Sequence, residues 1–294
     1  VSTLAALRDR VALQLRALPA EQATGDARVS ATHLLAAITG WLPAALALAM
    51  HRGDEATPEL AARTDAVLAR LAQGMPMAYA TGVAAFRHLD LHVDARVLIP
   101  RPETEIVVEH ALRVCAERPG GVAVDIGTGS GAIALSLAQE GRFDRVIATD
   151  VSADALDVAR LNAARVQGSL RCPVEFRLGA DLAPLAGERV RLIVSNPPYI
   201  AHHEAQALPA AVRDWEPPTA LFAADDGMAR YAEIVAGAPA MLEEGGWVVF
   251  ECDAQRARRT AALFAPDRGW REVDVHEDLT GRDRVCVAQY GAPG

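Results

Sequence analysis

The sequence predicts an α/β protein: a doubly wound, mostly parallel sheet whose last strand is antiparallel, preceded by a small helical region and a β-hairpin. Three observations predict it. From Gly120 onward, short apolar runs alternate with stretches of helical length, the pattern of βα units that build a parallel sheet. The last two apolar runs, "REVDVHED" and "RVCVAQY", are joined only by "LTGRD", a hairpin-length link, so the final strand returns antiparallel. Before residue 75, alanine and leucine dominate, charges recur at helical spacing and β-branched clusters are absent.

In chain order, residues 1–78 read as a helical domain with breaks near Pro19 to Asp26, Gly40 to Pro43 and Gly53 to Pro58. Thr57-Pro58 has the form of an N-cap followed by proline at the first helical position. Residues 79–99 read as a linker. Within it, "FRHLDLHVDARVLI" alternates apolar and polar residues, which predicts a β-hairpin with its turn at Asp94-Ala95. Residues 100–294 hold the sheet. "GVAVDIG" leads into a helix through "GAIALSLAQE", and "RVIATD" into a helix that Ser152 can cap. "PVEFRLG" and "RLIVSN" follow. A long helix through "MARYAEIVAGAPAML" precedes "GWVVFEC", and another through "QRARRTAALF" precedes the final strand pair.

Composition narrows the function. With 294 residues, 51% of them hydrophobic, the chain supports one large domain or two smaller ones with a substantial core. No run approaches the roughly 18 apolar residues of a membrane span. The first helical stretch lacks a signal-peptide layout, so a cytoplasmic protein with no membrane partner is expected. Cys115, Cys172, Cys252 and Cys286 are scattered, with no CxxC pair, so no metal site and no disulfide framework is expected. His33 and His51 stand alone and read as structural. A formal net charge of −9 suits a small molecule or a protein partner better than bare nucleic acid, which is held largely by Lys and Arg.

Two motifs carry chemistry. "VDIGTGSGAIAL" places Gly127, Gly129 and Gly131 between a strand and a helix, where glycine lets backbone pass close to a ligand. Open α/β sheets bind ligands at the carboxyl ends of their strands. Asp150 ends the next strand and can accept from two ribose hydroxyls; Asp181, after the third, can accept from an adenine amino group. A turn that only packs a helix onto a strand competes for the glycines, an Asp favoured by a helix dipole competes for Asp150, and for Asp181 a role without a ligand has equal weight. To this point nicotinamide and S-adenosylmethionine cofactors fit equally.

"LIVSNPPYIA" separates them. Pro197 and Pro198 stiffen the chain where a strand ends on Asn196. The Asn196 side-chain carbonyl and the Pro197 backbone carbonyl form a pair of fixed acceptors for the two hydrogens of a planar NH₂ group, and Tyr199 can pack on its flat face. Such a grip suits methylation of an amide or an aryl amine and needs no metal.

The chain resembles the HemK-type protein glutamine-N5 methyltransferases. "PMAYATG", "VLIPRPETE", "VDIGTGSGAIAL", "VSNPPYI", "WEPPTALFAADDG" and "GRDRV" carry the resemblance, in the family's order, over roughly residues 75 to 287. Where the family often has Glu-Ile-Gly after the fifth strand, this chain has Glu251-Cys252-Asp253. The resemblance implies a Rossmann-like class I methyltransferase domain and a helical domain that recognises substrate. It implies S-adenosylmethionine at Gly127, Thr128, Gly129, Ser130, Gly131, Asp150, the Asp181-Leu182 turn and Asn196. It implies a substrate glutamine held by Asn196, Pro197, Pro198 and Tyr199, with Arg101, Pro102 and Glu103 in a loop beside the pocket. The implied partner is a class-1 peptide chain release factor, met through its Gly-Gly-Gln tip; separately, a monomer with no direct need for nucleic acid is expected. An adenine-N6 methyltransferase, a ribosomal-protein glutamine methyltransferase and a non-catalytic binding protein are the rival readings.

Overall fold

The computed structural model describes residues 2–18 and 26–291. The predicted break at Pro19 to Asp26 therefore lies almost wholly outside the described residues. By its internal contacts the chain divides into two units, Val1–Val83 with Ala207–Trp215, and Ala84–Gln206 with Glu216–Gly294.

The first unit is helical. It contains α1 (Leu4–Arg16), α2 (Ala27–Thr39), α3 (Pro43–Arg52), α4 (Pro58–Ala72) and α5 (Met77–Thr81). The breaks have local causes. Gly40 and Gly53 end α2 and α3 in the left-handed conformation that glycine adopts at least cost. Thr57 caps α4 by accepting from Leu60 N at 3.1 Å, with Pro58 at the first position, as its sequence predicts. Leu7, Val11, Leu34, Leu35, Leu46 and Val67 form its separate core.

The hairpin is β1 (Val83–Phe86) with β2 (Leu89–His92), so the turn lies at Arg87-His88 and not at Asp94-Ala95. Arg87 takes a positive φ of 51° there, held by Glu105 and Glu140. Burial of Phe86, Leu89 and Leu91 sets the register. Asp94 does start a turn, accepting from Val97 N at 3.1 Å through its carbonyl, but one placed beyond the paired strands.

The sheet of the second unit has seven strands: β3 (Val122–Ile126), β4 (Arg145–Asp150), β5 (Val174–Leu178), β6 (Val190–Ser195), β9 (Leu242–Glu251), β10 (Trp270–Glu277) and β11 (Asp283–Tyr290). Their order is β10-β11-β9-β6-β3-β4-β5, and β11 runs antiparallel to both its neighbours. A two-stranded parallel pair, β7 (Ile200–Ala201) and β8 (Phe222–Ala223), stands apart. The helices are α6 (Pro102–Val114), α7 (Ala132–Glu140), α8 (Ala153–Val166), the short α10 (Pro218–Leu221), α11 (Ala229–Gly237) and α12 (Ala257–Ala261); α9 (Ala210–Arg213) belongs to the first unit.

The central strands bury both faces. Along β6, Leu192 and Val194 join one core with α6 and α7, while Ile193 joins the other with α11 and α12. That is the period of two expected of a strand covered on both sides. Two helices are shorter than their sequence pattern. α11 stops at Gly237 because Pro239 supplies no N–H, and the strand already begins at Leu242. α12 keeps only five residues of the predicted run. One helix, α6, goes unread in the sequence, where its start looks like a loop.

Candidate active site

Three parallel strands end flush. Ile126 of β3 stands opposite Thr149 of β4 on one side and Ser195 of β6 on the other. The residues that follow, Gly127, Asp150 and Asn196, therefore line one edge of the sheet. Ser195 Oγ donates to the Ile126 carbonyl at 2.7 Å and locks the β6 end to the glycine turn. This is the adjacency that the order of the sequence motifs requires.

The turn is built from below. Gly127, Gly129 and Gly131 all have positive φ. Asp125, fully buried on β3, accepts from Thr128 Oγ1 at 2.7 Å and from Ala134 N at 3.1 Å, fastening both ends of the turn. Burial pushes the Asp125 carboxyl up to about 7. Asn162 of α8 donates to the Ser130 carbonyl at 2.8 Å and to the His92 carbonyl at 2.9 Å, tying the turn to β2. Thr128 and Ser130 are both buried. A Cβ added at Gly127 or at Gly129 would meet nothing within 4 Å. The space above this backbone is open.

Asp150 faces the same space. Its two oxygens accept from Gly129 N and from Ser152 N, each at 2.9 Å, which leaves a lone pair on each for a further donor. Burial raises its carboxyl above the usual carboxylate range. Ser152 caps α8 through Ala155 N at 3.2 Å. Asp181, two positions beyond Gly179, has a positive φ of 47°. Its carboxylate accepts from Arg230 Nη1 at 2.7 Å, so it already has a cationic partner. Leu182 packs beneath, on the core of the α11 face.

After β6, Pro197 is buried and Pro198 and Tyr199 are half-buried. Tyr199 packs on that same core, and burial pushes its hydroxyl well above the ordinary phenol range. It stays protonated at any working pH.

The "IPRPETE" block is the entry to a helix beside this site, with Ile99 to Arg101 non-helical and Pro102 onward in α6. Arg101 is the N-cap residue of α6, and Pro102 and Glu103 lie in its first turn. Proline at the first helical position and acidic residues in the first turn both favour a helix start. The Arg101 guanidinium is paired with the buried Glu216 carboxylate, which also accepts from Ile99 N at 3.2 Å.

Two residues to which the sequence assigns no role at the site, Thr104 and Glu251, complete the edge. Thr104 of α6 donates from Oγ1 to Glu251 Oε2 at 2.5 Å, and Asn196 Nδ2 donates to the same hydroxyl at 3.3 Å. Glu251 ends β9, next to β6 in the sheet. Burial pushes its carboxyl up to about 7, against the pull of Thr104 and Arg284. The sequence showed the Glu at a strand end, but not that it reaches a threonine 147 positions away.

A glycine turn at the end of β3 with open space above it, a carboxylate at the end of β4 and a rigid Asn-Pro-Pro-Tyr at the end of β6 stand side by side, which is the arrangement of a methyltransferase. Comparisons with known proteins agree. The family described as Methyltransferase small domain matches residues 104–213, and the PrmC N-terminal domain matches residues 13–82. A release factor glutamine methyltransferase of Cereibacter sphaeroides is 41% identical over 279 residues, 95% of each chain. One of Enterococcus faecalis is 38% identical over 240 residues, 82% of this chain and 85% of that one. The chain belongs to the release factor glutamine methyltransferase family. A crystal structure of a methyltransferase from Pyrococcus furiosus, 20% identical, covers 76% of this chain and 98% of its own with a TM-score of 0.53, and shows the shared fold.

Proposed function

We propose that the protein methylates the side-chain amide nitrogen, N5, of the glutamine in the Gly-Gly-Gln motif of class-1 peptide chain release factors, using S-adenosylmethionine, in support of translation termination. The observation that carries the reading is Asn196-Pro197-Pro198-Tyr199 standing flush beside the glycine turn, in a chain of this family. A cytoplasmic, monomeric enzyme whose residues 1–78 recognise the release factor belongs with it.

The site fits the methyl donor. The open cradle over Gly127 and Gly129 admits a ligand against bare backbone, and Asp150 keeps lone pairs for ribose hydroxyls. Gly127, Thr128, Gly129, Ser130, Gly131 and Asp150 would hold it, with the Asp181-Leu182 turn at the adenine end and Asn196 at the other. When bound, S-adenosylmethionine supplies a methyl group made electrophilic by its sulfonium.

The protein's own part is positioning. An amide nitrogen is a poor nucleophile, because its lone pair is delocalised into the carbonyl. Asn196 Oδ1 and the Pro197 carbonyl accept its two hydrogens and aim the nitrogen into the cleft. Tyr199 packs on the flat amide, and the prolines keep the acceptors still. Alignment of this kind lowers a barrier by several kcal/mol. As positive charge grows on nitrogen, both hydrogen bonds strengthen, so they favour the transition state over bound substrate.

Intact-mass analysis and peptide mapping of a purified release factor, incubated with the protein and S-adenosylmethionine, test the reading. One added methyl group on the Gly-Gly-Gln glutamine is the expected result. Methylation of a ribosomal protein or an adenine base in its place would refute it. Deleting residues 1–78 should abolish the reaction on intact release factor; full activity without them would refute their role in recognition.

A further inference from the structure

We infer that Thr104 and Glu251 are positioning residues that decide which end of the Asn196 carboxamide faces the substrate. The inference rests on the amide-methylating reading above and deepens it.

The argument is a count of protons. A threonine hydroxyl has one hydrogen to give and two lone pairs. Thr104 gives its hydrogen to Glu251 Oε2, at 2.5 Å. An ionised carboxylate has none to return. Toward Asn196 the hydroxyl can then only accept, and it is Asn196 Nδ2 that lies 3.3 Å away. The carboxamide is planar, so Oδ1 is turned to the other side. That is the orientation in which Asn196 offers an acceptor to a substrate NH₂. The flipped side chain would set its own NH₂ against the substrate's, donor against donor. Oxygen and nitrogen of an amide are nearly the same size, so shape alone does not choose between the two. The Thr104–Glu251 bond does.

Both residues are built for this. Thr104 and Glu251 are 4% and 1% exposed, so water cannot replace either partner. They come from α6 and β9, and Asn196 from the end of β6; three rigid elements converge on one hydroxyl. Among the described residues, neither side chain has another hydrogen-bonding task at this edge that would explain the pairing.

The arrangement holds only while Glu251 is ionised. Once protonated, its carboxyl can donate to Thr104, whose own hydrogen is then free to turn to Asn196 Oδ1, and the bias is lost. Around Glu251 stand Arg101 and Glu103 at the start of α6, Tyr199 after β6, Tyr231 on α11, Arg284 on β11 and Cys252 beside it. The arginines favour the ionised form; Glu103 and burial oppose it, and the carboxyl titrates at about 7.

The test is kcat and KM for release-factor methylation across pH, in wild type, Thr104→Val, Thr104→Ser and Glu251→Gln, with S-adenosylhomocysteine affinity by calorimetry and thermal unfolding for each. Thr104→Val removes the bias and leaves the competent orientation at most about half populated, so it should lower kcat at least about two-fold, with KM and S-adenosylhomocysteine affinity little changed. Thr104→Ser, which keeps the hydroxyl, should recover most of kcat. Wild-type kcat should rise with pH through a limb near 7. In Glu251→Gln, where no proton is left to titrate, that limb should vanish. Wild-type kcat in Thr104→Val, or an unchanged limb in Glu251→Gln, would overturn the inference. If Thr104→Val does not fold, the Glu251→Gln profile decides alone. A wild-type protein that methylates no release factor would overturn the underlying reading, and this inference with it.

Discussion

Gly227 lies so close to the backbone carbonyl of Tyr199 that any Cβ at 227 would overlap the Tyr199 oxygen and the Arg256 Nε. Gly227 also has a positive φ of 82°. Arg256, itself buried, donates to the Asp226 carbonyl at 2.9 Å and pairs with Glu204 at 2.5 Å and with Asp253. The segment after the "NPPY" motif is thus clamped from beneath by residues far along the chain.

Gly227→Ala should therefore act on the site without touching substrate. The left-handed conformation costs roughly 1–2 kcal/mol for alanine, and overpacking typically adds about 1–3 kcal/mol. A lower melting temperature, together with a fall in kcat as Tyr199 shifts, is expected from thermal unfolding and steady-state kinetics. Wild-type values of both would show that the segment yields without consequence.

Asn196→Ala removes one of the two acceptors on the reacting nitrogen. Losing a preorganised partner of this sort commonly costs on the order of 10²–10³ in kcat. Affinity for S-adenosylhomocysteine, measured by calorimetry, should fall far less than turnover. Equal losses in turnover and binding would mean that Asn196 serves the cofactor and not the reacting amide.

Gly127→Val should separate binding from folding in the other direction. Gly127 is exposed at a φ of 74°, with open space where a Cβ would go. Its backbone conformation is one a β-branched residue resists, and the new methyl groups would fill the cradle. Cofactor affinity should fall at least about ten-fold, which is 1.4 kcal/mol. Undiminished binding by the folded variant would place the cofactor elsewhere.

A pH prediction follows from Asp125. Its folded-state value of about 7 lies above the unfolded carboxylate range. Between roughly pH 4 and 7 the folded state therefore holds a proton that the unfolded state has released, and stability falls as pH rises through that window. His110 acts oppositely, because burial lowers it to about 4 and its folded state resists protonation. Asp125→Asn isolates the carboxyl. The variant's stability relative to wild type, from denaturant unfolding, should improve from about pH 4 to pH 7 and level off above. A difference independent of pH would show that Asp125 does not titrate in this range.

Much of the fold is legible in the chain itself, because strands and helices here are local and amphipathic. The alternation after Gly120, the Thr57 and Ser152 caps and the antiparallel last strand all follow from residues within a few positions of one another. The hairpin turn went astray because Asp94 is a real turn signal, yet the burial of Leu89 and Leu91 set the pairing earlier. The start of α6 reads as a loop because proline and three charges hide its single buried face.

By itself the sequence determined the chemistry, since the glycine turn and "NPPY" each sit at a strand end that local pattern locates. Only the tertiary structure decided how the site is held. Thr104, Asn196 and Glu251 are 92 and 147 positions apart as paired by hydrogen bonds, and Glu216 meets Arg101 from 115 away. No local periodicity records such contacts. They exist because a parallel sheet brings the ends of non-consecutive strands together and buries their polar groups, which must then find each other.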